Sequence, residues 1–411
     1  MTKNSAGTST VDRRRETVAR YPLPWSPPLE IPDALRDLRD RATVVVRLPG
    51  GDTALLVTRY ADVRALFTDR RLSRNIARPD AARITEDNDA FADPRVDPDA
   101  PHHTRMRGLV DRVLTVSRVR ALRPTVWRIA DDLMDRMACG AKSADLNEAF
   151  AFPLPIRVMG ALLGVPAADM PAFHRLVNGF LSITRPRPDQ VADARRGLWQ
   201  YLDELIASKW DSPSDDLTSA LIAVSDEDGY RITGLELGYW IQGLLIAGYV
   251  TTASQIGTGT AMLLHHRHLV KEIQSDWSLL PTAVEELLRC QIMASSIGTL
   301  RYALADVALE DGTVLPRGSS VLLSQESANM DETVFADPFT IDLARPDNPH
   351  LTFGAGPHHC AGAELARMEI QVATEGLLRR FPDLRLAVPG GELPRGVGGF
   401  MESFTEIPVT W

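Results

Sequence analysis

Apolar residues recur at helical spacing through most of this chain. The pattern predicts short helices over 33–40 and 60–67, and longer ones from Thr104 and over 124–137, 155–163, 170–181, 189–209 and 216–224. Two β-branched runs, 42–48 and 53–58, flank Pro49-Gly50-Gly51-Asp52, which is a hairpin signal. The longest helix is announced by Thr233-Gly234-Leu235-Glu236, a capping-box pattern, and its apolar register continues to His265, roughly 45 Å at 1.5 Å per residue. A second such pattern, Thr282-Ala283-Val284-Glu285, opens a short helix ending near Cys290. Strand-like runs follow at 300–303, 307–309 and 320–323. Residues 78–101 are rich in Asp, Ala and Pro without steady period, as expected of a functional lid or a disordered loop.

The 411 residues are 44% hydrophobic, enough for a large core, and no linker, repeat or low-complexity tract divides them. One domain over 21–411 is expected, preceded by a flexible segment 1–20. That segment is polar and lacks an apolar core, and no run of about 18 apolar residues occurs, so neither a signal peptide nor a membrane anchor is expected. Three cysteines cannot build a disulfide framework, which fits a reducing cytoplasm. A net charge of −9 argues against nucleic acid as a partner.

The chemistry concentrates near the C-terminus, in Phe353-Gly354-Ala355-Gly356-Pro357-His358-His359-Cys360-Ala361-Gly362. Cys360 follows a glycine-bracketed turn and precedes a strongly helical run, where the helix dipole and free N–H groups favour a thiolate, the metal-ligating form. His-His-Cys in direct succession lacks the spacer that would wrap a tetrahedral zinc ion, and no Cys-x-x-Cys partner exists. Cys139 and Cys290 sit in apolar helical contexts and read as small buried hydrophobes. The loop fills every fixed position of Phe-Gly-x-Gly-x-His/Arg-x-Cys-x-Gly and so resembles the haem-binding loop of the cytochrome P450 family.

That resemblance extends from about Tyr21 to Trp411 and implies a mainly α triangular prism with a small β region, holding haem b with Cys360 as the axial iron ligand. Glu286-Leu287-Leu288-Arg289 matches the family's buried Glu/Arg pair, and Arg345 its third member, a structural network fixing the loop. His103 and Arg107, one turn apart on one helix face, Arg301 and His358 match cations that hold the haem carboxylates. Phe353 and Gly354 belong to the cofactor loop itself. His102, His359 and the His265-His266-His268 cluster read as solvated, without a role.

On the long helix, Ala247-Gly248-Tyr249-Val250-Thr251-Thr252 stands where relatives have Ala-Gly-x-Glu/Asp-Thr-Thr. The small pair implies room for oxygen and Thr251 a hydroxyl in the oxygen site, but Val250 replaces the acid of the proton relay. A second departure, Met330 in place of Arg, reads as peripheral. Ser295, Ser296 and Ile297, and the turn containing Phe400 and Met401, fall where the family lines its substrate pocket. The implied activity is oxidation of a small molecule with O2, the electrons supplied by a ferredoxin and its reductase, for which Arg105, Arg112 and Arg367 are docking candidates. The acid-less helix and the Ser295-Ser296 segment resemble the subgroup that couples or dimerises tryptophan-containing cyclodipeptides. Hydroxylation of a macrolide, terpenoid or other natural product is the alternative, and a non-catalytic haem-thiolate sensor a third.

Overall fold

The computed structural model describes residues 18–23, 29–32, 34–84, 97–181, 188–227, 229, 232–290, 299–396 and 403–411. The helices, in chain order, are α1 (Ala34–Arg39), α2 (Tyr60–Leu66), α3 (His102–Val113), α4 (Val116–Ala138), α5 (Pro153–Leu163), α6 (Met170–Leu181), α7 (Pro188–Asp211), α8 (Leu217–Glu227), α9 (Gly234–His265), α10 (Arg267–Ser275), α11 (Leu280–Cys290), α12 (Gln325–Ala328) and α13 (Ala363–Arg380). The strands are β1 (Ala19–Arg20), β2 (Thr43–Arg47), β3 (Thr53–Val57), β4 (Leu72–Ser73), β5 (Ser143–Asp145), β6 (Leu300–Ala303), β7 (Val307–Ala308), β8 (Val314–Leu315), β9 (Ser320–Leu323), β10 (Arg385–Leu386) and β11 (Pro408–Thr410).

Helix α9 is apolar around its whole circumference because it is surrounded, not because it lies on a surface. It packs on α5, α7 and α13, while α4 covers α5 and α13. Val126, Leu133, Ile156, Ile256, Leu263, Ile370 and Leu377 meet there almost without solvent exposure. Each such side chain contributes about 1.5–3 kcal/mol relative to exposure. The start of α9 is the capping box seen in the sequence: Glu236 N–H donates to Thr233 Oγ1 (3.2 Å), and Thr233 N–H to Glu236 Oε2 (2.9 Å).

The largest sheet has strand order β1-β2-β3-β9-β6-β4. The 42–58 hairpin pairs antiparallel from Thr43 opposite Val57 to Arg47 opposite Thr53. Strand β9 runs parallel to β3 and antiparallel to β6, which places Arg301 in the sheet interior. A three-stranded sheet (β10-β11-β5) and a two-stranded one (β7-β8) complete the β region. Strand β1 pairs parallel with Val46 and Arg47, so the segment expected to be flexible up to residue 20 is tied into the sheet at its end.

Other expectations shift for physical reasons. Helix α4 starts at Val116, ahead of Pro124, because Thr115 caps it by accepting from Arg118 N–H (3.2 Å). The proline signal marked a position inside the helix, not its first turn. The second capping pattern is not a cap: a 3-10 turn at Trp277–Leu279 feeds directly into α11. Thr282 donates to Leu279 O, and Glu285 reaches outward to Arg367 (2.8 Å) and His350 (3.1 Å). Cys290 is buried as expected, but Cys139 is exposed at the end of α4. Met330, read as peripheral to the chemistry, does not line the cavity but is fully buried with its sulfur 3.4 Å from Arg289 Nη1. Among the described residues, no helix is long and apolar enough to cross a membrane.

The most concentrated polar interaction lies beneath α11. Glu286 and Arg289 are fully buried and joined by two bonds, Arg289 Nε to Oε2 (2.8 Å) and Nη2 to Oε1 (2.7 Å). Arg345 Nε (3.0 Å), Asn348 Nδ2 (3.0 Å) and the Asp342 N–H (2.9 Å) donate to the same carboxylate. Arg289 further donates to the carbonyls of Asn329 (3.0 Å) and Pro338 (2.8 Å). Burial raises the carboxyl's proton affinity, but Arg289 and its other donors outweigh this and hold it below the ordinary range. Glu286→Ala would strand two buried guanidinium groups, and loss of one partner of such a pair costs about 3–5 kcal/mol. Urea unfolding should show a loss of that size, with little soluble protein recovered. Unchanged yield and midpoint would mean that the network does not support the fold.

Candidate active site

Helix α9 and the Cys360 segment face each other across a cavity of about 350 Å³. Ala247, Gly248, Thr251 and Thr252 form one wall, and Cys360, Ala361, Gly362 and Leu365 the opposite one. His103 and Arg107 of α3, Arg74 beyond β4, and His358 close one side. Tyr239 and Trp240 project from the first turns of α9.

The cysteine loop is held from both ends. Gly354 and Gly356 adopt φ of +69°, a conformation that favours glycine, and a Cβ on Gly356 would lie 2.6 Å from Thr68 Cγ2. Cys360 N–H donates to Phe353 O (2.9 Å) and Gly354 N–H to Leu351 O (2.8 Å). Asn329 accepts from Leu351 N–H (2.7 Å) and donates to Thr352 Oγ1 (2.9 Å), and Thr352 donates to Leu288 O (2.8 Å). Because Arg289 binds the Asn329 carbonyl, these bonds connect the loop to the Glu286 network. Arg107 donates to His359 O, and Arg367 lies 4.6 Å from the Phe353 ring centre.

Thiolate formation is less favoured than helix position alone suggests. Burial pushes the Cys360 thiol up, and the Gly362 N–H with the charges of Arg107 and Arg367 pull it back in part. An arriving metal ion would displace the proton outright.

Positive groups dominate the opposite rim. The His103 and His358 rings are 3.9 Å apart between centres, and Arg74 Nη1 lies 3.4 Å from His358 Nδ1. Burial, then Arg74, holds His103 down to about 4 and His358 down to about 2. Arg301 is almost fully buried, its Cζ 5.5 Å from the Phe67 ring centre, and burial drives its proton affinity far down. Asp99 is the acid closest in influence, and it already accepts from Ser73 and from Arg74 N–H (2.9 Å). A buried set of cations and imidazoles of this kind is suited to bind carboxylates.

These observations fit haem, which has two carboxylates at one edge and an iron that a thiolate can ligate. Arg74, His103, Arg301 and His358 would hold the carboxylates, and Cys360 Sγ would ligate the iron. When bound, the haem supplies the two-electron activation of dioxygen.

Other residues singled out in the sequence fall elsewhere. Phe353 and Gly354 shape the loop behind the cavity wall and do not line the cavity. Val250, which stands in the place of the acid, is 1% exposed in the core and is absent from the wall. Its turn of α9 points it away from the cavity while Thr251 faces it. Gly248 is small because α5 presses on it: a Cβ would sit 2.7 Å from Met159 Sδ. The Thr251 hydroxyl donates to Ala247 O, one turn back along the helix. Ser295, Ser296, Ile297, Phe400 and Met401 lie outside the described residues, as do 85–96 of the irregular stretch. His359, given no role, lines the cavity, and Arg367 is engaged by Glu285 and Glu364.

Sequence reasoning missed Arg74, whose only signal is an arginine directly after a two-residue strand. It also missed Glu369 of α13, a wall residue 1% exposed with an unpartnered Oε2. Burial pushes that carboxyl well above the ordinary carboxylate range.

Comparison with known proteins agrees with this geometry. Residues 156–386 match the family "Cytochrome P450". The chain is 41% identical to nocardicin C N-oxygenase of Nocardia uniformis subsp. tsuyamanensis, over 97% of this chain and 100% of that one. It is 39% identical to mycinamicin IV hydroxylase/epoxidase of Micromonospora griseorubida, over 89% and 91% respectively. The crystal structure of SgvP, a putative thioether synthase in a tailoring step of griseoviridin, superposes with a TM-score of 0.86 at 39% identity, covering 96% of this chain and all of that one. With its cysteine loop, its rim of arginines and histidines and relatives alike over nearly their whole length, the chain belongs to the cytochrome P450 family and is a haem-dependent oxidative enzyme of bacterial secondary metabolism.

Proposed function

We propose that this enzyme inserts one atom of dioxygen into a bulky natural product, in a hydroxylation or N-oxygenation. The observation that carries this reading is the full-length similarity to an N-oxygenase and a macrolide hydroxylase. Cys360 is the thiolate ligand in this reading. Arg74, His103, Arg301 and His358 bind the haem carboxylates, with Arg107 bracing the His359 carbonyl. The substrate packs on Ile76, Leu114, Met159, Leu162 and Leu244, with Asn75 and Tyr239 as polar contacts. A mainly apolar wall with few polar groups suits a large, largely apolar molecule. Thr251 and Thr252 are the wall hydroxyls nearest in sequence to the Ala247-Gly248 pair, and Glu369, whose proton affinity burial raises, lines the wall on the cysteine side. The electrons come from a ferredoxin and its reductase, and the exposed Arg105 and Arg112 on α3 suit an acidic partner.

One observation favours a second reading, oxidative coupling of a tryptophan-containing cyclodipeptide. The cavity face of α9 presents no carboxylate, and Val250 holds the position of the family's acid. Bond formation other than oxygen insertion is named for one relative, the putative thioether synthase. Loss of one hydrogen atom from each of two indole rings joins them by a new bond, the two hydrogens leaving as water with oxygen from dioxygen.

The haem assignment predicts that Cys360→Ser abolishes the strongly red-shifted Soret band of the reduced, CO-bound protein, whereas Cys139→Ser and Cys290→Ser retain it. A retained band in Cys360→Ser would remove Cys360 as ligand. The reaction type is decided by mass spectrometry of products formed under labelled dioxygen, with a macrolide panel and a cyclo-tryptophan dipeptide as substrates. Oxygen insertion predicts monomers one labelled atom heavier. Unlabelled dimers as the main product would overturn it in favour of coupling.

A further inference from the structure

Far from the cavity, the C-terminal end of α9 carries a group of side chains that the oxidation chemistry does not use. His265 is the last residue of the helix and His266 its cap, about 21 Å along the axis from Thr251 at 1.5 Å per residue. Glu30 approaches from the segment before α1. One donor atom from each of Glu30, His265 and His266 lies within 4.8 Å of the others, the one such group among the described residues. His265 Nε2 and Glu30 Oε1 are already 3.1 Å apart.

Three further observations distinguish this cluster from a chance meeting of surface side chains. The Nε2 of His266 is buried and has no hydrogen-bond partner. A buried imidazole nitrogen without a partner is free to serve as a metal ligand. Leu29 is fully buried and held at φ of +66°, rare for a leucine, which turns the chain so that Glu30 faces the histidines. Gly390 completes the enclosure: a Cβ there would lie 2.8 Å from His265 Nδ1 and 2.9 Å from Leu29 Cδ1. The group also sits at the negative end of the helix dipole, where a cation is favoured.

We propose that Glu30, His265 and His266 bind a divalent zinc ion through one carboxylate oxygen and two imidazole nitrogens, with water completing the coordination. Two imidazoles with one carboxylate suit zinc, whereas calcium and magnesium require all-oxygen surroundings. The ion would staple the segment before α1 to the end of the helix that forms the oxygen-side wall. Binding requires only loss of the His265–Glu30 contact and of any proton on the imidazoles, with no redox change.

The test is calorimetric titration of zinc chloride into haem-loaded, tag-free protein previously treated with a chelator. One zinc per chain is expected, together with a rise in Tm. Glu30→Gln and His265→Asn should each weaken binding by roughly tenfold or more and remove the rise in Tm. Their Soret spectra should remain those of the parent, which shows that they fold and hold haem. No stoichiometric zinc uptake by the parent protein, or uptake that neither substitution weakens, would overturn the proposal.

Discussion

A single carboxylate organises the proximal half of this molecule. Glu286 is fully buried, yet it accepts from two guanidinium groups, one side-chain amide and one backbone N–H. Two buried charges in a pair do not stabilise a fold more than a well-packed apolar pair would. What the arrangement imposes is geometry. Arg289 fixes the backbone at Asn329 and Pro338, and Arg345 the backbone at Ala336. Asn329 then fixes Leu351 and Thr352 at the entry to the cysteine loop. The position of Cys360 is thereby set by an electrostatic network rather than by the loop's own preferences.

The cavity carries the complementary imbalance. Arg74, His103 and His358 line it, and Arg301 lies buried behind them, close enough to act on His358. Arg74 and Arg301 oppose one another, while burial keeps His103 and His358 as neutral imidazoles. A cofactor that brings two carboxylates relieves that repulsion, so haem binding and completion of the fold are linked through the same side chains.

The sequence was most legible where a residue's role depends on its neighbours along the chain. The Thr233–Glu236 cap, the 42–58 hairpin and the glycine turns before Cys360 are local devices and stand where the pattern puts them. The network of Glu286, Arg289 and Arg345 was legible through spacing and resemblance, and its burial is visible only in three dimensions. Thr282–Glu285 has the same letters as a true cap, but the chain enters α11 from a 3-10 turn, and Glu285 finds Arg367 instead. Gly248 lines the cavity as read, and the contact with Met159 adds a second reason for its small size, whereas the helix register turns Val250, read at the position of the acid, into the core. Arg74 and Glu369 were missed because neither belongs to a local pattern, and their place is set by packing between distant segments.

The central claim is that the buried Glu286 network holds Cys360 in the geometry needed for ligation. It is tested most directly by the reduced, CO-bound spectrum of Glu286→Gln, a near-isosteric change that removes the charge while keeping hydrogen-bonding capacity. The account predicts that whatever haem-loaded protein survives shows the red-shifted thiolate band largely replaced by a band at shorter wavelength. A full-strength thiolate band in that variant would contradict it.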